Sequence, residues 1–200
     1  MDSIRDAINS GVTGEKLAKI PTPSTYRAAV IEKQDEQMFA GVASRDKDPR
    51  KSIKLREVPV PELAPDEALV AVMASSINFN TVWSAIFEPI STFGALSRLA
   101  RESAWAKRHD LPYHILGSDG SGVVLRVGTA VRNWKPGDRV TIHCNHVDDQ
   151  DPSAHDDSML GANQRIWGYE TNFGGLADLT VVKANQLMQN LRICRGKKRR

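Results

Sequence analysis

Short apolar segments separated by glycine and proline turns run through most of the chain, and this spacing restricts the folds open to it. Six segments have the alternation or the β-branched content of strands: Tyr26–Ile31, Ile53–Val58, Ala68–Ala74, Asp119–Val127, Arg139–His143 and Ala177–Val182. A doubly wound parallel sheet needs a helix between successive strands, whereas Pro59, Pro61 and Pro65 keep one connection irregular. The pattern predicts a mainly β fold with short helices (α+β), built as a partly open β-barrel.

Helical patterns are few and short. Residues 2–10 can form a helix that Gly11 and Gly14 end, and an extended linker, Pro21–Ser24, follows. A short helix fits Thr81–Ala85, and a second fits Ala95–Arg108. These patterns divide the chain into an N-terminal helix and linker (1–25), a β domain (26–188) with a helical insertion at about 81–112, and a basic tail (189–200).

The charge of the chain is concentrated in that tail. The formal net charge is +3, but the tail holds six cations and no acid, so the remainder carries 21 basic and 24 acidic residues, a net charge of −3. The tail has few apolar residues and no helical or strand periodicity, so we expect it to be disordered. A mildly acidic body argues against a nucleic-acid partner, and a basic binder would depend on the tail alone.

No signal peptide and no apolar run of about eighteen residues is present, so the sequence predicts neither secretion nor a membrane span. The two cysteines, Cys144 and Cys194, are too far apart to suggest a disulfide framework. These features predict a reduced, cytoplasmic compartment.

The glycines of Gly117–Gly122 invite a nucleotide-binding interpretation that their spacing does not favour. They follow G-x-x-G-x-G rather than G-x-G-x-x-G, and they lead into a strand, whereas a dinucleotide fingerprint leads from a strand into a helix. A turn followed by a glycine-rich strand is the favoured interpretation.

The loop Arg165–Gly175 is the strongest candidate for chemistry. It places the carboxylate Glu170 next to Tyr169, and two glycines then lead into a strand. By pattern alone, Glu170 is most simply a solvated loop carboxylate. Asn80, ahead of a predicted helix, is most simply an N-cap. Trp83 and Trp105 are assigned to packing between the inserted helices and the barrel.

A second polar stretch, His143–Asp149 with His155–Asp157, contains metal-ligating residue types without a metal-site spacing. It has no paired C-x-x-C or H-x-x-x-H and no calcium-loop pattern. A hydrated loop is the favoured interpretation. Cys144 needs a neighbouring base to act as a nucleophile, and none is evident, so we expect a buried or semi-buried thiol.

Residues 114–140 resemble the signature of the medium-chain dehydrogenase/reductase superfamily, in which this segment belongs to the GroES-like catalytic domain. The zinc-dependent branch has a His-Glu pair where this chain has Ser118 and Asp119. A serine is a poor replacement for an imidazole ligand, so the resemblance implies a zinc-free enoyl or quinone reductase.

A narrower resemblance covers about residues 1–188. The segments Ile77–Trp83, His143–Asn145 with Asp148, and Arg165–Gly174 resemble crotonyl-CoA carboxylase/reductase, as do the N-terminal extension and the insertion. The resemblance implies that NADPH reduces an enoyl-CoA such as crotonyl-CoA, and that the enolate then takes up CO2 to give ethylmalonyl-CoA. It also implies a homo-oligomer in the complete protein.

Site residues follow from the same resemblance. Asn80 is implied to donate a hydrogen bond to CO2. Glu170 is implied to order a water beside it, together with a histidine from a later part of the family sequence. Tyr169 is implied to line the CO2 pocket, where the family pattern has phenylalanine.

The family's NADPH-binding Rossmann domain and the return segment of its catalytic domain are absent from this sequence. We therefore expect an incomplete GroES-like catalytic domain, an N-terminal fragment that is inactive alone. Two alternatives stay open: a zinc-free enoyl or quinone reductase that does not carboxylate, and a non-catalytic GroES-like interaction module.

Overall fold

The computed structural model describes residues 1–154 and 157–189, so the tail predicted to be disordered lies almost wholly outside the described residues, as do His155 and Asp156. The chain begins with helix α1 (Asp2–Asn9), which the sequence predicted. A second helix, α2 (Gly14–Lys19), follows it and was not predicted. Gly14 begins a helix instead of ending one. A Cβ at this position would lie 2.0 Å from the carbonyl oxygen of Pro136, so glycine lets α2 approach that turn.

All six predicted strands are present, and four short strands join them. In chain order, the strands are β1 (Thr25–Glu32), β2 (Lys54–Pro59), β3 (Glu67–Ala74), β4 (Tyr113–Ile115), β5 (Gly120–Val127), β6 (Arg139–Ile142), β7 (Asn145–His146), β8 (Arg165–Ile166), β9 (Leu179–Lys183) and β10 (Leu187–Gln189). The four that the sequence did not predict have two or three residues each, too few for a period of two to be recognised.

The strands form two main antiparallel sheets and one small one. Their orders are β2-β1-β4, β10-β6-β5-β3-β9 and β7-β8. The two main sheets meet where Ala28 bridges Ala177, and the amide of Ala29 donates to the carbonyl of Leu176 at 2.9 Å. This junction confirms the mainly β, partly open barrel with few short helices.

Strand β3 lies in the middle of the larger sheet and is buried on both faces. Leu69 and Ala71 pack into a core with α1 and α2, whereas Ala68 and Val70 pack into a second core with Trp167. Successive side chains of a strand point to opposite faces, so one apolar strand supplies both cores.

The helical insertion differs from its prediction. Helix α3 (Phe79–Ile86) is longer than expected, and helix α4 (Thr92–Leu99) ends well before Arg108. The Ser103 hydroxyl accepts a hydrogen bond from the amide of Ala106 at 3.0 Å and so starts a separate 3₁₀ turn. Among the described residues, no helix has the length and apolar character needed to cross a bilayer.

Candidate functional site

A polar cluster joins the start of α3 to the turn before β5. The side-chain oxygen Oδ1 of Asn78 accepts from the amide of Thr81 at 3.2 Å, so Asn78 caps α3 and Asn80 does not. The Asn78 amide group donates to Ser118 Oγ and to Asp119 Oδ2, both at 2.7 Å. Asn80 Nδ2 donates to the same Ser118 Oγ at 3.1 Å. The N-cap interpretation of Asn80 is therefore wrong, and its carboxamide is turned toward this cluster.

The cluster does not suit a zinc ion. Ser118 is 1% exposed, and its oxygen already accepts two N–H groups, which leaves no lone pair for a metal. One carboxylate oxygen of Asp119 accepts from both Ser76 and Asn78. Within residues 1–154 and 157–189, no group of three or more histidine, cysteine or acidic side chains is placed to hold a metal.

The loop before β9 carries the other two predicted site residues. Glu170 is half-buried, and its Oε2 accepts from the amide of Ile166 at 2.8 Å. Tyr169 is 7% exposed. Burial first, and then the neighbouring Glu170 charge, raise the pKa of the Tyr169 phenol. Trp167 fixes the loop from the barrel side, since its indole N–H donates to the carbonyl of Phe173 at 3.0 Å.

An aromatic contact joins α3 to this loop. The ring centroid of Trp83 lies 6.3 Å from that of Tyr169 and 6.0 Å from that of Phe79. Trp83 was assigned to packing between the inserted helices and the barrel; it contacts the loop before β9 in this way, although its side chain is 40% exposed. The helix that carries Asn80 thus touches the loop that carries Tyr169 and Glu170. Their roles in binding CO2 stay predictions.

Asn172 holds the loop in place and was not identified from the sequence. Its side chain is fully buried. Its Oδ1 accepts from the amides of Ile115 at 2.9 Å and Phe173 at 2.8 Å, and its Nδ2 donates to the carbonyls of Tyr113 at 2.9 Å and His109 at 3.2 Å. An asparagine in a glycine-rich loop usually indicates a turn. The sequence pattern therefore does not indicate a buried side chain that bonds four backbone groups.

His114 supports the same loop from beneath. It is fully buried, and its Nε2 lies 3.1 Å from the carbonyl of Gly168. A carbonyl can only accept, so Nε2 carries the proton in the neutral ring. Nδ1 has no partner within the described part of the chain. Burial lowers the pKa of His114 to about 4, against a smaller opposing effect of the Gly168 hydrogen bond.

Gly168 allows the loop to pass close to the turn before β5, which leads to a prediction. Its φ is +69°, and a Cβ there would lie 2.0 Å from the carbonyl oxygen of Gly117. We expect Gly168→Ala to lower the free energy of unfolding by about 3 kcal/mol, because backbone strain adds to a clash that only a backbone shift can relieve. Gly11→Ala is the matched control, since φ is +71° with nothing within 4 Å; it should cost about 1 kcal/mol. If urea unfolding gave the same loss of unfolding free energy for Gly168→Ala and Gly11→Ala, the clash would be refuted.

The stretch after β6 does not form a reactive thiol site. Cys144 is half-buried, as expected, and burial raises the pKa of its thiol. His143 Nδ1 accepts from the amide of Asn145 at 3.1 Å. The part of the candidate metal cluster formed by His155 and Asp156 lies outside the described residues.

The family model of the alcohol dehydrogenase GroES-like domain matches residues 64–192. A crotonyl-CoA reductase from Streptomyces collinus is 59% identical over 186 residues, which cover 92% of this chain and 42% of the relative. A crotonyl-CoA carboxylase/reductase from Cereibacter sphaeroides is 39% identical over 157 residues, covering 77% of this chain and 34% of that protein.

A solved structure shares both the sequence and the fold. A 2-octenoyl-CoA carboxylase reductase from a Streptomyces species, in complex with NADP and 2-octenoyl-CoA, superposes with a TM-score of 0.89 at 59% identity. The match covers 94% of this chain and 42% of that one. The chain therefore spans less than half the length of the relatives that it matches.

Proposed function

Because the chain belongs to the alcohol dehydrogenase GroES-like domain family and is homologous to crotonyl-CoA reductases, we propose that it forms the catalytic-domain part of a crotonyl-CoA carboxylase/reductase. The reaction is the reductive carboxylation of an enoyl-CoA to an alkylmalonyl-CoA, such as crotonyl-CoA to ethylmalonyl-CoA. One relative, the 2-octenoyl-CoA carboxylase reductase, was solved in complex with NADP and 2-octenoyl-CoA, and another is a crotonyl-CoA carboxylase/reductase.

The observation that carries the proposal is the Asn80 carboxamide, directed by Ser118 and one helical turn from the Trp83–Tyr169 contact. Carbon dioxide has no charge and only weak acceptor oxygens, so an oriented N–H donor suits its capture. The α-carbon of the enolate forms a bond to the carbon of CO2, and the new carboxylate takes the negative charge. Asn80 holds CO2 for that attack.

Glu170 and Tyr169 form the wall beside Asn80 in this proposal. One carboxylate oxygen of Glu170 is occupied by the amide of Ile166, which leaves the other for a water that helps to hold CO2. The buried Tyr169 ring limits access of bulk water, which would otherwise protonate the enolate. The Tyr169 hydroxyl, where the family pattern has phenylalanine, adds a donor to this wall.

The described residues do not fit a dinucleotide site. Every strand pair among them is antiparallel, and none forms the strand–glycine loop–helix unit that binds a pyrophosphate. Zinc does not fit the Ser118 cluster either, so we propose a zinc-free enzyme. We expect the 200-residue chain alone to be inactive. NADPH oxidation by the purified chain with crotonyl-CoA and bicarbonate would refute that expectation.

A hybrid enzyme tests the role of Asn80. Residues 1–188 replace the matching part of the Streptomyces collinus relative, and the products from crotonyl-CoA, NADPH and bicarbonate are quantified by mass spectrometry. Asn80→Leu should shift the ratio of ethylmalonyl-CoA to butyryl-CoA toward butyryl-CoA by about tenfold, the effect of losing one hydrogen bond of about 1.4 kcal/mol.

The exposed Asn133 offers a matched control, because Asn133→Leu makes the same change on the connection between β5 and β6 and should leave the ratio unchanged. An unchanged ratio in Asn80→Leu would favour a simple zinc-free enoyl reductase. A hybrid that folds but neither reduces nor carboxylates would favour a non-catalytic interaction module.

A further inference from the structure

The Asn80 carboxamide needs an anchor if it is to face CO2 in one orientation. Asn80 is half-buried on the first turn of α3, where a free carboxamide samples several rotamers. Its one hydrogen bond among the described residues runs from Nδ2 to Ser118 Oγ at 3.1 Å. This bond takes one amide N–H and leaves the second N–H and the carbonyl oxygen open to a ligand.

Ser118 is a rigid anchor because the two residues that precede it are tied to the barrel. The amide of Leu116 donates to the carbonyl of Ala29 at 3.0 Å, and the carbonyl of Gly117 accepts from the amide of Gly175 at 2.8 Å. Ser118 itself is 1% exposed. The hydroxyl oxygen therefore has a defined position before any ligand arrives.

Asn78 fixes the direction in which Ser118 can bond. The carboxamide of Asn78 is fully used, since its oxygen caps the amide of Thr81 and its two N–H groups reach Ser118 and Asp119. One lone pair of Ser118 Oγ is thereby occupied. The second lone pair accepts from Asn80, so the two carboxamide groups together use both lone pairs of the hydroxyl.

We propose that Ser118 is a positioning residue for carboxylation: its buried hydroxyl holds the Asn80 carboxamide so that the free N–H faces CO2. This inference rests on the proposed function. The superfamily segment that supplies a metal ligand in zinc-dependent relatives supplies a hydrogen-bond anchor here. Loss of the anchor lowers the fraction of Asn80 side chains oriented for CO2 and leaves reduction of the enoyl group unchanged.

The first measurement uses the 200-residue chain itself. Nuclear magnetic resonance relaxation of the Asn80 side-chain NH2 group, assigned by its absence in Asn80→Asp, should show a restricted group in the wild type. Ser118→Ala should mobilise it. Ser76→Ala is the matched control, because its hydroxyl bonds Asp119 at 2.8 Å without touching Asn80. Full mobility already in the wild type would overturn the inference.

The second measurement uses the hybrid enzyme. Ser118→Ala should lower the ratio of ethylmalonyl-CoA to butyryl-CoA about fivefold at unchanged NADPH oxidation rate, a change that a merely structural defect would not produce. Ser76→Ala should leave the ratio unchanged. If Ser118→Ala does not fold, Ser118→Cys keeps the side-chain volume and weakens the acceptor, and should lower the ratio in the same way.

The two proposals fail in different ways. If Asn80→Leu shifts the ratio and neither Ser118 variant does, the positioning role is refuted and the proposed function stands. If Asn80→Leu leaves the ratio unchanged, the proposed function fails, and the inference fails with it. A shift in both, with a mobile Asn80 amide in Ser118→Ala, supports both.

Discussion

Acidification from pH 6.5 to pH 4 is expected to lower the free energy of unfolding by about 3 kcal/mol through His114 alone. The pKa of His114 is about 4 in the folded chain, against 6.5 for the ordinary side chain. Each unit of difference corresponds to about 1.4 kcal/mol. Well above pH 6.5 the ring is neutral in both states and contributes no pH dependence. Below it the unfolded chain binds the proton first, so stability falls as the pH falls.

The structure gives the reason for this shift. Protonation would place a charge on a ring that is fully buried and would add an N–H at Nδ1, which has no partner among the described residues. His109 acts in the same direction, because burial and then the neighbouring His146 and Arg108 lower its pKa well below 6.5. The total loss should therefore exceed the contribution of His114.

Urea unfolding between pH 4 and pH 7 measures the effect, and His114→Gln separates it from the titration of carboxylates. Glutamine keeps an N–H donor for the carbonyl of Gly168 and removes the titrating group. The difference between the two pH profiles should have the slope of one proton between pH 4 and 6.5. Parallel profiles, or a pKa near 6.5 for the His114 ring in a nuclear magnetic resonance titration, would contradict the prediction.

Much of the barrel could be predicted from the sequence because its strands are long enough to show a period. β3 and β5 each have eight residues, and their apolar runs are evident without a structure. The short strands β7 and β8 depend on pairing between distant residues, Asn145 with Ile166 and His146 with Arg165. No local pattern encodes such a pairing, so it could not be predicted.

The candidate site, like the barrel, could be predicted from the sequence only in part. Glu170 and Asn80 were identified because the resemblance supplied their roles, and the structure then showed that Asn78 is the cap of α3. In the sequence, Ser118 stands out only as the replacement of a zinc-ligating histidine. Its present bonds depend on bringing the turn before β5 to within 3.1 Å of α3, a long-range contact that the spacing of residues along the chain does not reveal.

Asn172→Leu is expected to lower the free energy of unfolding by about 4 kcal/mol or more. Leucine has a similar volume but no polar atoms, so the amides of Ile115 and Phe173 and the carbonyl of Tyr113 lose the partner that Asn172 gives them. The carbonyl of His109 keeps the amide of Leu111 as a donor. Each buried group left unpaired costs about 1–3 kcal/mol. Phe173 adds to the cost, because its φ of +67° is strained for a side chain and is held in part by Asn172.

Asn133→Leu is the matched control for this prediction, since Asn133 is exposed and its replacement should change the free energy of unfolding by less than about 0.5 kcal/mol. Hydrogen exchange localises the effect: the amides of Ile115 and Phe173 should exchange faster in Asn172→Leu, while those in the centre of β5 follow only the global loss of stability. A variant that is already unfolded without urea agrees with the prediction. Losses within 1 kcal/mol of the control would mean that the loop carrying Tyr169 and Glu170 is held by Trp167 and His114, and that Asn172 contributes little.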